Sequence, residues 1–224
     1  MAAVELERVS KHYKAESSVA ALDGITLQFR AGQFTALLGR SGCGKTTLLN
    51  LCGAMDFATA GRVAIDGEDT SKLDDAGLTR LRRSKVGFVF QFFQLLPTLT
   101  VAENVELPLL LAGSSNARER ATETLRWVEM DDYAARFPHQ ISGGQAQRVA
   151  IARALVHGPT ILLADEPIGN LDTTTGDVVL DLLRRAARDR GAAVLMATHS
   201  VESTAYCDRV VRLRDGRVES DTSA

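Results

Sequence analysis

Three glycines and a lysine-threonine pair, Gly39-Arg40-Ser41-Gly42-Cys43-Gly44-Lys45-Thr46, stand between the apolar run Phe34-Thr35-Ala36-Leu37-Leu38 and the apolar-faced segment Thr47-Leu48-Leu49-Asn50-Leu51. Every fixed position of the G-x-x-x-x-G-K-[ST] pattern is filled. The pattern constrains the fold strongly, because a buried strand must feed a tight turn and that turn must open a helix. Glycine is needed where the backbone turns sharply and brings its N–H groups against an anion, since a Cβ would block the approach. The helix start adds a partial positive charge. Lys45 supplies a full charge for β- and γ-phosphates, and the Thr46 hydroxyl suits Mg²⁺. The loop therefore implies a nucleoside triphosphate. Cys43 is either a small side chain tolerated among glycines or a redox-active thiol, and the sequence leaves both open.

With 224 residues and 45% apolar content, the chain suits one substantial core, with at most a smaller appended lobe. The net charge of −2 lacks the basic excess of a dedicated nucleic-acid binder, so no nucleic acid is expected among its partners. The most hydrophobic region, Leu95 to Leu111, is broken by Pro97, Glu103, Asn104, Glu106 and Pro108 and is too short to span a bilayer. The segment Met1-Ala2-Ala3-Val4-Glu5-Leu6-Glu7 has no basic region followed by an apolar one, so a cytoplasmic location is expected. Cys43, Cys52 and Cys207 have no metal-ligand spacing and suit a reducing compartment.

Alternation predicts strands at Val4 to Val9, Ile25 to Phe29, Arg62 to Gly67 and Val86 to Phe90. From Val101 to His157 the pattern turns mainly helical, with helices expected at Ala117 to Glu129 and Gly144 to His157, the latter stopped by Gly158-Pro159. Buried strands follow at Ile161 to Ala164 and Ala193 to Ala197, flanking a helix near Thr174 to Arg188, and a strand closes at Arg209 to Leu213 before the Asp215-Gly216 turn. Apolar strands alternating with helices indicate a mainly parallel α/β sheet with an inserted helical lobe. The tail from Ser220 reads as short, polar and mobile.

Asp165 and Glu166 follow the apolar strand Ile161 to Ala164, and open parallel sheets place their ligands at the carboxyl ends of strands. Asp165 suits Mg²⁺, directly or through water, whereas Glu166 suits polarisation of an attacking water. Gln91 and His199 end two further strands, where an amide could reach the metal or the lytic water and an imidazole the γ-phosphate. Ile141-Ser142-Gly143-Gly144-Gln145 is a second anion-ready helix start, with Ser142 as cap and bare N–H groups on Gly143 and Gly144. One triphosphate has one γ-phosphate. The second corner makes sense if it closes over a nucleotide held by another copy of the chain.

Taken together, these motifs resemble the ATP-binding subunit of an ATP-binding cassette (ABC) transporter, and the resemblance covers nearly the whole chain. It implies a single ATPase domain over residues 1–224, with a P-loop NTPase (RecA-like) core, an antiparallel β edge subdomain and an α-helical subdomain inserted at about 92–158. It also implies ATP with Mg²⁺. Gly39 to Thr47 matches the Walker A loop, Gln91 the Q-loop, Ser142 to Gln145 the signature, Asp165 and Glu166 the Walker B pair, Gly169 to Asp172 the D-loop, and His199 the switch histidine. Tyr13 matches the residue that stacks on adenine, although a tyrosine there can equally be packing.

The stretch Gly87-Phe88-Val89-Phe90-Gln91-Phe92-Phe93-Gln94-Leu95-Leu96-Pro97-Thr98-Leu99-Thr100, with Glu103-Asn104-Val105 and Pro167 after the acidic pair, is similar to the macrolide-export and lipoprotein-release branch. That likeness implies a homodimer bound peripherally to the inner face of the membrane through a permease with a large extracytoplasmic domain. The alternative is a non-transport ATPase that regulates envelope or cell-division enzymes through a permease-like partner. Phe92, Phe93, Leu95 and Leu96 are core by composition, whereas the resemblance puts this region in the groove that receives the permease. Ile141, Ile168 and Ser200 depart from the family's usual leucine, threonine and aspartate, and Ile168 lies nearest to Glu166. Arg80, Arg82, Arg83 and Lys85 form the densest basic cluster, either a solvated face or a contact with permease or lipid headgroups.

Overall fold

A computed structural model describes residues 2–13 and 19–223. The first half contains β1 (Ala2–Tyr13), β2 (Val19–Arg30), β3 (Phe34–Leu38), α1 (Lys45–Cys52), β4 (Ala60–Ile65), β5 (Glu68–Asp69), α2 (Asp75–Lys85), β6 (Val86–Val89) and α3 (Val101–Leu111). The second half contains α4 (Ala117–Trp127), α5 (Gly143–Leu155), β7 (Ile161–Asp165), α6 (Thr173–Arg190), β8 (Ala193–Thr198), β9 (Arg209–Arg214) and β10 (Arg217–Ser223). Two sheets form: a four-stranded antiparallel one in the order β2-β1-β4-β5 and a six-stranded one in the order β10-β9-β3-β8-β7-β6. In the larger sheet, β9, β3, β8, β7 and β6 run parallel and only β10 is antiparallel.

The parallel strands read as continuous apolar runs because both sheet faces are covered. Along β8, Val194 and Met196 enter the core shared with α3, α4, α5 and α6, whereas Ala193, Leu195 and Ala197 enter the core shared with α1, α2 and the antiparallel sheet. In β7, Leu162 and Ala164 face the helical side while Ile161 and Leu163 face the other. Each large apolar side chain buried this way contributes about 1.5–3 kcal/mol.

α3, α4 and α5 all lie between β6 and β7 in the chain. Pro108 sits inside α3, and the prolines of this segment do not prevent a helix there. Thr100 and Glu103 form a capping box at its start. The buried Asn104 Nδ2 donates to Leu96 O and Leu99 O, each at 3.1 Å, which ties down the stretch after Gln91.

The polar tail differs from its sequence expectation. Ser220 to Ser223 belong to β10, which pairs with β9 across a turn where Asp215 and Gly216 have φ of 49° and 75°. A two-residue hairpin favours positive φ at both turn positions, so Asp-Gly supplies the reversal. Arg209 Nε and Nη2 then grip Asp221 at 2.7 and 2.6 Å. An exposed edge strand needs no apolar alternation, which is why periodicity did not reveal it. α2 was equally silent, being so rich in charge that only Leu78 and Leu81 mark its buried stripe.

Gly87 fixes how closely α5 lies on β6, because a Cβ there would run into the Ala154 carbonyl and meet Leu162 Cδ1 at 3.1 Å. Gly87→Ala should therefore destabilise the protein by about 1–3 kcal/mol through overpacking. A thermal or urea melt equal to wild type would show that α5 is not seated this tightly.

Candidate active site

Strand register brings the predicted residues together. Leu38 of β3 pairs with Thr198 of β8, Ala197 with Asp165 of β7, and Ala164 with Val89 of β6. The four strands therefore end at nearly one level, and the residues just beyond them face one another. A cleft of about 490 Å³ is lined by Ser41, Gly42, Gly44, Lys45, Thr46 and Thr47 on one side. Gln91, Asp165, Glu166 and His199 line the other side, and Ala20 and Ala21 complete the wall.

The phosphate loop depends on two glycines with positive φ, Gly42 at 80° and Gly44 at 104°. A Cβ on Gly44 would also collide with Ala21 O, so only glycine lets the loop press against β2. Lys45 is 8% exposed and donates to Gly39 O at 2.7 Å and Arg40 O at 3.2 Å. Neutral carbonyls hold the ammonium in place without cancelling its charge. α1 begins without a side-chain cap and with no acid in its first turn, so its N–H groups remain available to an anion. These features fit a triphosphate.

Thr46 Oγ1 donates to Asp165 Oδ1 at 3.3 Å. A hydroxyl and a carboxylate oxygen this close, beside a phosphate cradle, suit a Mg²⁺ ion that draws its remaining ligands from phosphate and water. Burial pushes the Asp165 carboxyl above its ordinary range, the Thr46 hydroxyl pulls it down, the Glu166 charge raises it and Lys45 lowers it. The anionic form of Asp165 is therefore costlier in the fold than in the unfolded chain.

Glu166 has φ of 47°, an uncommon left-handed conformation for a non-glycine residue. Its N–H still closes the ladder on Ala197 O at 3.0 Å. The side chain turns to His199, whose Nδ1 lies 3.0 Å from the carboxylate. With Glu166 ionised, Nδ1 carries the proton and donates, which leaves Nε2 on the far side of the ring.

Other predicted residues lie elsewhere. Cys43 is buried in the core beneath the loop, and with Gly39 it borders a different cavity, of about 560 Å³, against the β9–β10 hairpin. Tyr13 ends β1 outside the cleft lining, donating its hydroxyl to Asp56 Oδ2 at 2.9 Å with Lys11 Nζ 4.9 Å from its ring centroid. Asp172 caps α6, accepting from Thr175 N at 3.0 Å and Thr175 Oγ1 at 2.7 Å. Ser142 caps α5 in a capping box: its Oγ accepts from Gln145 N at 3.3 Å, and Gln145 Oε1 accepts from Ser142 N at 2.8 Å. None of Ser142, Gly143, Gly144 and Gln145 lines the phosphate cleft of its own chain.

The sequence profile of the family described as ABC transporter matches residues 22–169. An uncharacterised ABC transporter ATP-binding protein of Methanocaldococcus jannaschii is 44% identical over 97% of this chain and 96% of its own. The chain belongs to the ABC transporter family. It is an ATP-binding subunit and an ATPase that uses Mg²⁺. The lipoprotein-releasing system ATP-binding protein LolD of Anaeromyxobacter dehalogenans is 48% identical over 97% of this chain and 93% of its own. The macrolide export ATP-binding/permease protein MacB of Brucella melitensis is 45% identical over 98% of this chain, which spans 34% of that protein. A solved ATP-binding cassette, a dimer in a post-hydrolysis state bound to ADP and Pi, superposes with a TM-score of 0.88 at 43% identity, covering 98% of each chain. Among the described residues, no helix of this ABC subunit is long and apolar enough to cross a membrane.

Two positioning residues escaped sequence reasoning. Gln147 Nε2 donates to Pro167 O at 2.6 Å and Phe90 O at 3.4 Å, joining the residues beside Glu166 and Gln91. Its only sequence signal is a polar residue on the buried stripe of α5. Arg153 donates to Phe93 O at 2.9 Å and Gln94 O at 2.5 Å, holding two residues whose φ values are 50° and 51°.

Asp165→Asn should raise the melting temperature of nucleotide-free protein by a few degrees at neutral pH, since it removes a buried charge beside Glu166, with about 1 kcal/mol moving the midpoint ~2–4 °C in a chain this large. A carboxyl raised in the fold gives stability below its unfolded value and loses it as pH rises through the folded one. The gap between variant and wild type should therefore close as pH falls towards the carboxylate range. The extra stabilisation by Mg-ATP over ATP alone should vanish in the variant. An unchanged or lowered midpoint at neutral pH would remove the argument from burial.

Proposed function

We propose that this ATPase works as a homodimer in which each copy lends Ser142, Gly143 and Gly144 to the triphosphate in its partner's cleft. The observation that carries this reading is the separation, within one chain, of the phosphate cleft from the second anion-ready corner. The Ser142 Oγ spends a lone pair on capping but keeps its proton, so the hydroxyl can donate outward to a γ-phosphate. Gly143 and Gly144 add N–H groups in the first turn of α5. Dimeric cassettes among the solved relatives support the arrangement.

Within the cleft, Lys45 and the first turn of α1 take the phosphate charge, and Thr46, Asp165 and Gln91 provide the side-chain oxygens for Mg²⁺. When bound, the ion neutralises phosphate oxygens in the transition state. Water attacks the γ-phosphorus, its proton passing to Glu166 as the bond to the leaving ADP oxygen breaks. His199 Nδ1 orients that carboxylate, and Nε2 faces the transferred group. Gln91 links the cleft to the segment 92–158, which we assign as a helical subdomain moving with nucleotide state. Tyr13 takes the adenine face, and Asp172 the approach of the partner copy. By analogy with LolD and MacB, the dimer drives a permease of the macrolide-export or lipoprotein-release type from the cytoplasmic face of the membrane.

Glu166→Gln should lower turnover by about 10²- to 10⁴-fold while retaining ATP. In saturating Mg-ATP, light scattering should then show a dimer, and adding Ser142→Ala should weaken it. A Glu166→Gln protein that stays monomeric, or hydrolyses ATP at the wild-type rate, defeats the reading.

A further inference from the structure

The backbone ladder between β6 and β7 stops at Val89 and Ala164, one residue before the pair Asp165 and Ala197 that still joins β7 to β8. Glu166 N then reaches Ala197 O at 3.0 Å. The turn that carries Glu166 is therefore fixed to β8 by main chain, whereas no strand pairing fixes it to the end of β6, just past which Gln91 stands. The spacing of Glu166 from Gln91 depends on contacts outside the sheet.

Side chains close that gap. Gln147 of α5 is 0% exposed, and its Nε2 donates to Pro167 O at 2.6 Å and Phe90 O at 3.4 Å. Pro167 follows Glu166, and Phe90 precedes Gln91. Carbonyls only accept, so the amide nitrogen must face both of them and the side chain has one admissible orientation. Within the turn, Glu166 O accepts from Gly169 N and Ile168 O from Leu171 N, each at 3.1 Å. The buried Pro167 carbonyl between them has Gln147 as its only donor among the described residues. At the exposed end of the turn, Asn170 Nδ2 donates to Gln91 O at 3.3 Å, and a Cβ on Gly169 would come within 2.9 Å of Gln91 Nε2.

Packing alone does not account for Gln147. Its Oε1 is buried without a partner, an arrangement that costs free energy and that methionine, also unbranched but with no amide, would avoid. What the amide supplies, and methionine would not, is one donor shared by two strand ends.

We propose that Gln147, with Asn170, is a positioning residue for ATP hydrolysis that sets the Glu166 carboxylate against Gln91 in the cleft of its own chain. The Glu166 backbone is strained, at φ of 47°, so a turn without its Pro167 anchor can relax and carry the carboxylate off the line of the attacking water. Lys45 is anchored on Gly39 O and Arg40 O and by neither of these side chains. Loss of Gln147 therefore slows the chemical step and leaves nucleotide binding in place. The inference rests on the reading of Glu166 as the group that takes the water's proton.

The test is ATP hydrolysis by the purified chain carrying Gln147→Met or Asn170→Ala, with melting temperatures measured beside it. Gln147→Met should lower kcat by about 10- to 100-fold with the KM for Mg-ATP nearly unchanged. Asn170→Ala, at an exposed site, should lower kcat several-fold at the wild-type melting temperature. In single-turnover measurements, adding Gln147→Met to Glu166→Gln should cost little beyond Glu166→Gln alone, because the amide acts through that carboxylate. The double variant should still form a dimer in saturating Mg-ATP, which reports a folded chain. A wild-type kcat in either single variant overturns the proposal, as does a Gln147→Met loss that multiplies in full with that of Glu166→Gln. If Gln147→Met does not fold, Asn170→Ala decides alone. Normal turnover in Glu166→Gln defeats the underlying reading and this inference with it, whereas normal turnover in Gln147→Met defeats this inference only.

Discussion

The parallel ladder through β3, β8, β7 and β6 ties Leu38, Thr198, Asp165 and Val89 to within one residue of a common level. Backbone hydrogen bonds enforce that level, and apolar side chains on both sheet faces prevent any strand from slipping, since a one-residue shift would turn each core side chain to the wrong layer. The cleft is a consequence of this alignment. Residues far apart in sequence, from Ser41 to His199, meet because each follows a strand that stops where its neighbours stop.

The same alignment concentrates charge where burial disfavours it. Lys45 is anchored by carbonyls that do not neutralise it, Asp165 is pushed towards its protonated form, and Glu166 occupies a strained backbone conformation. Each is a local expense that the packed core sustains, and each is relieved or exploited by a polyanion with its cation. The cleft is thus a poised arrangement of charges, with its positive and negative groups held apart by main-chain geometry.

Much of this was legible from residue order. The glycine loop, the acidic strand end and the apolar strands reveal themselves through spacing and composition, because backbone sterics and two-sided burial leave few residues to choose from. What was hidden depends on pairings distant in sequence. Nothing around Arg153 indicates that it holds Phe93 and Gln94, and nothing around Gln147 indicates that it bridges Phe90 and Pro167. β10 and α2 were obscured by their exposed polar and charged side chains, which remove the apolar periodicity that marks a strand or a helix. Nothing local indicates that Arg82 and Lys85, in the basic cluster from Arg80 to Lys85, are engaged by Ala54 and Asp66.

A Cβ on Gly144 would overlap the Thr175 methyl, and Thr175 is in turn pinned by Asp172. With no slack between them, the leading turns of α5 and α6 interlock like two teeth. The spacing of Ser142 from Asp172 is therefore set by a contact that admits no side chain on Gly144.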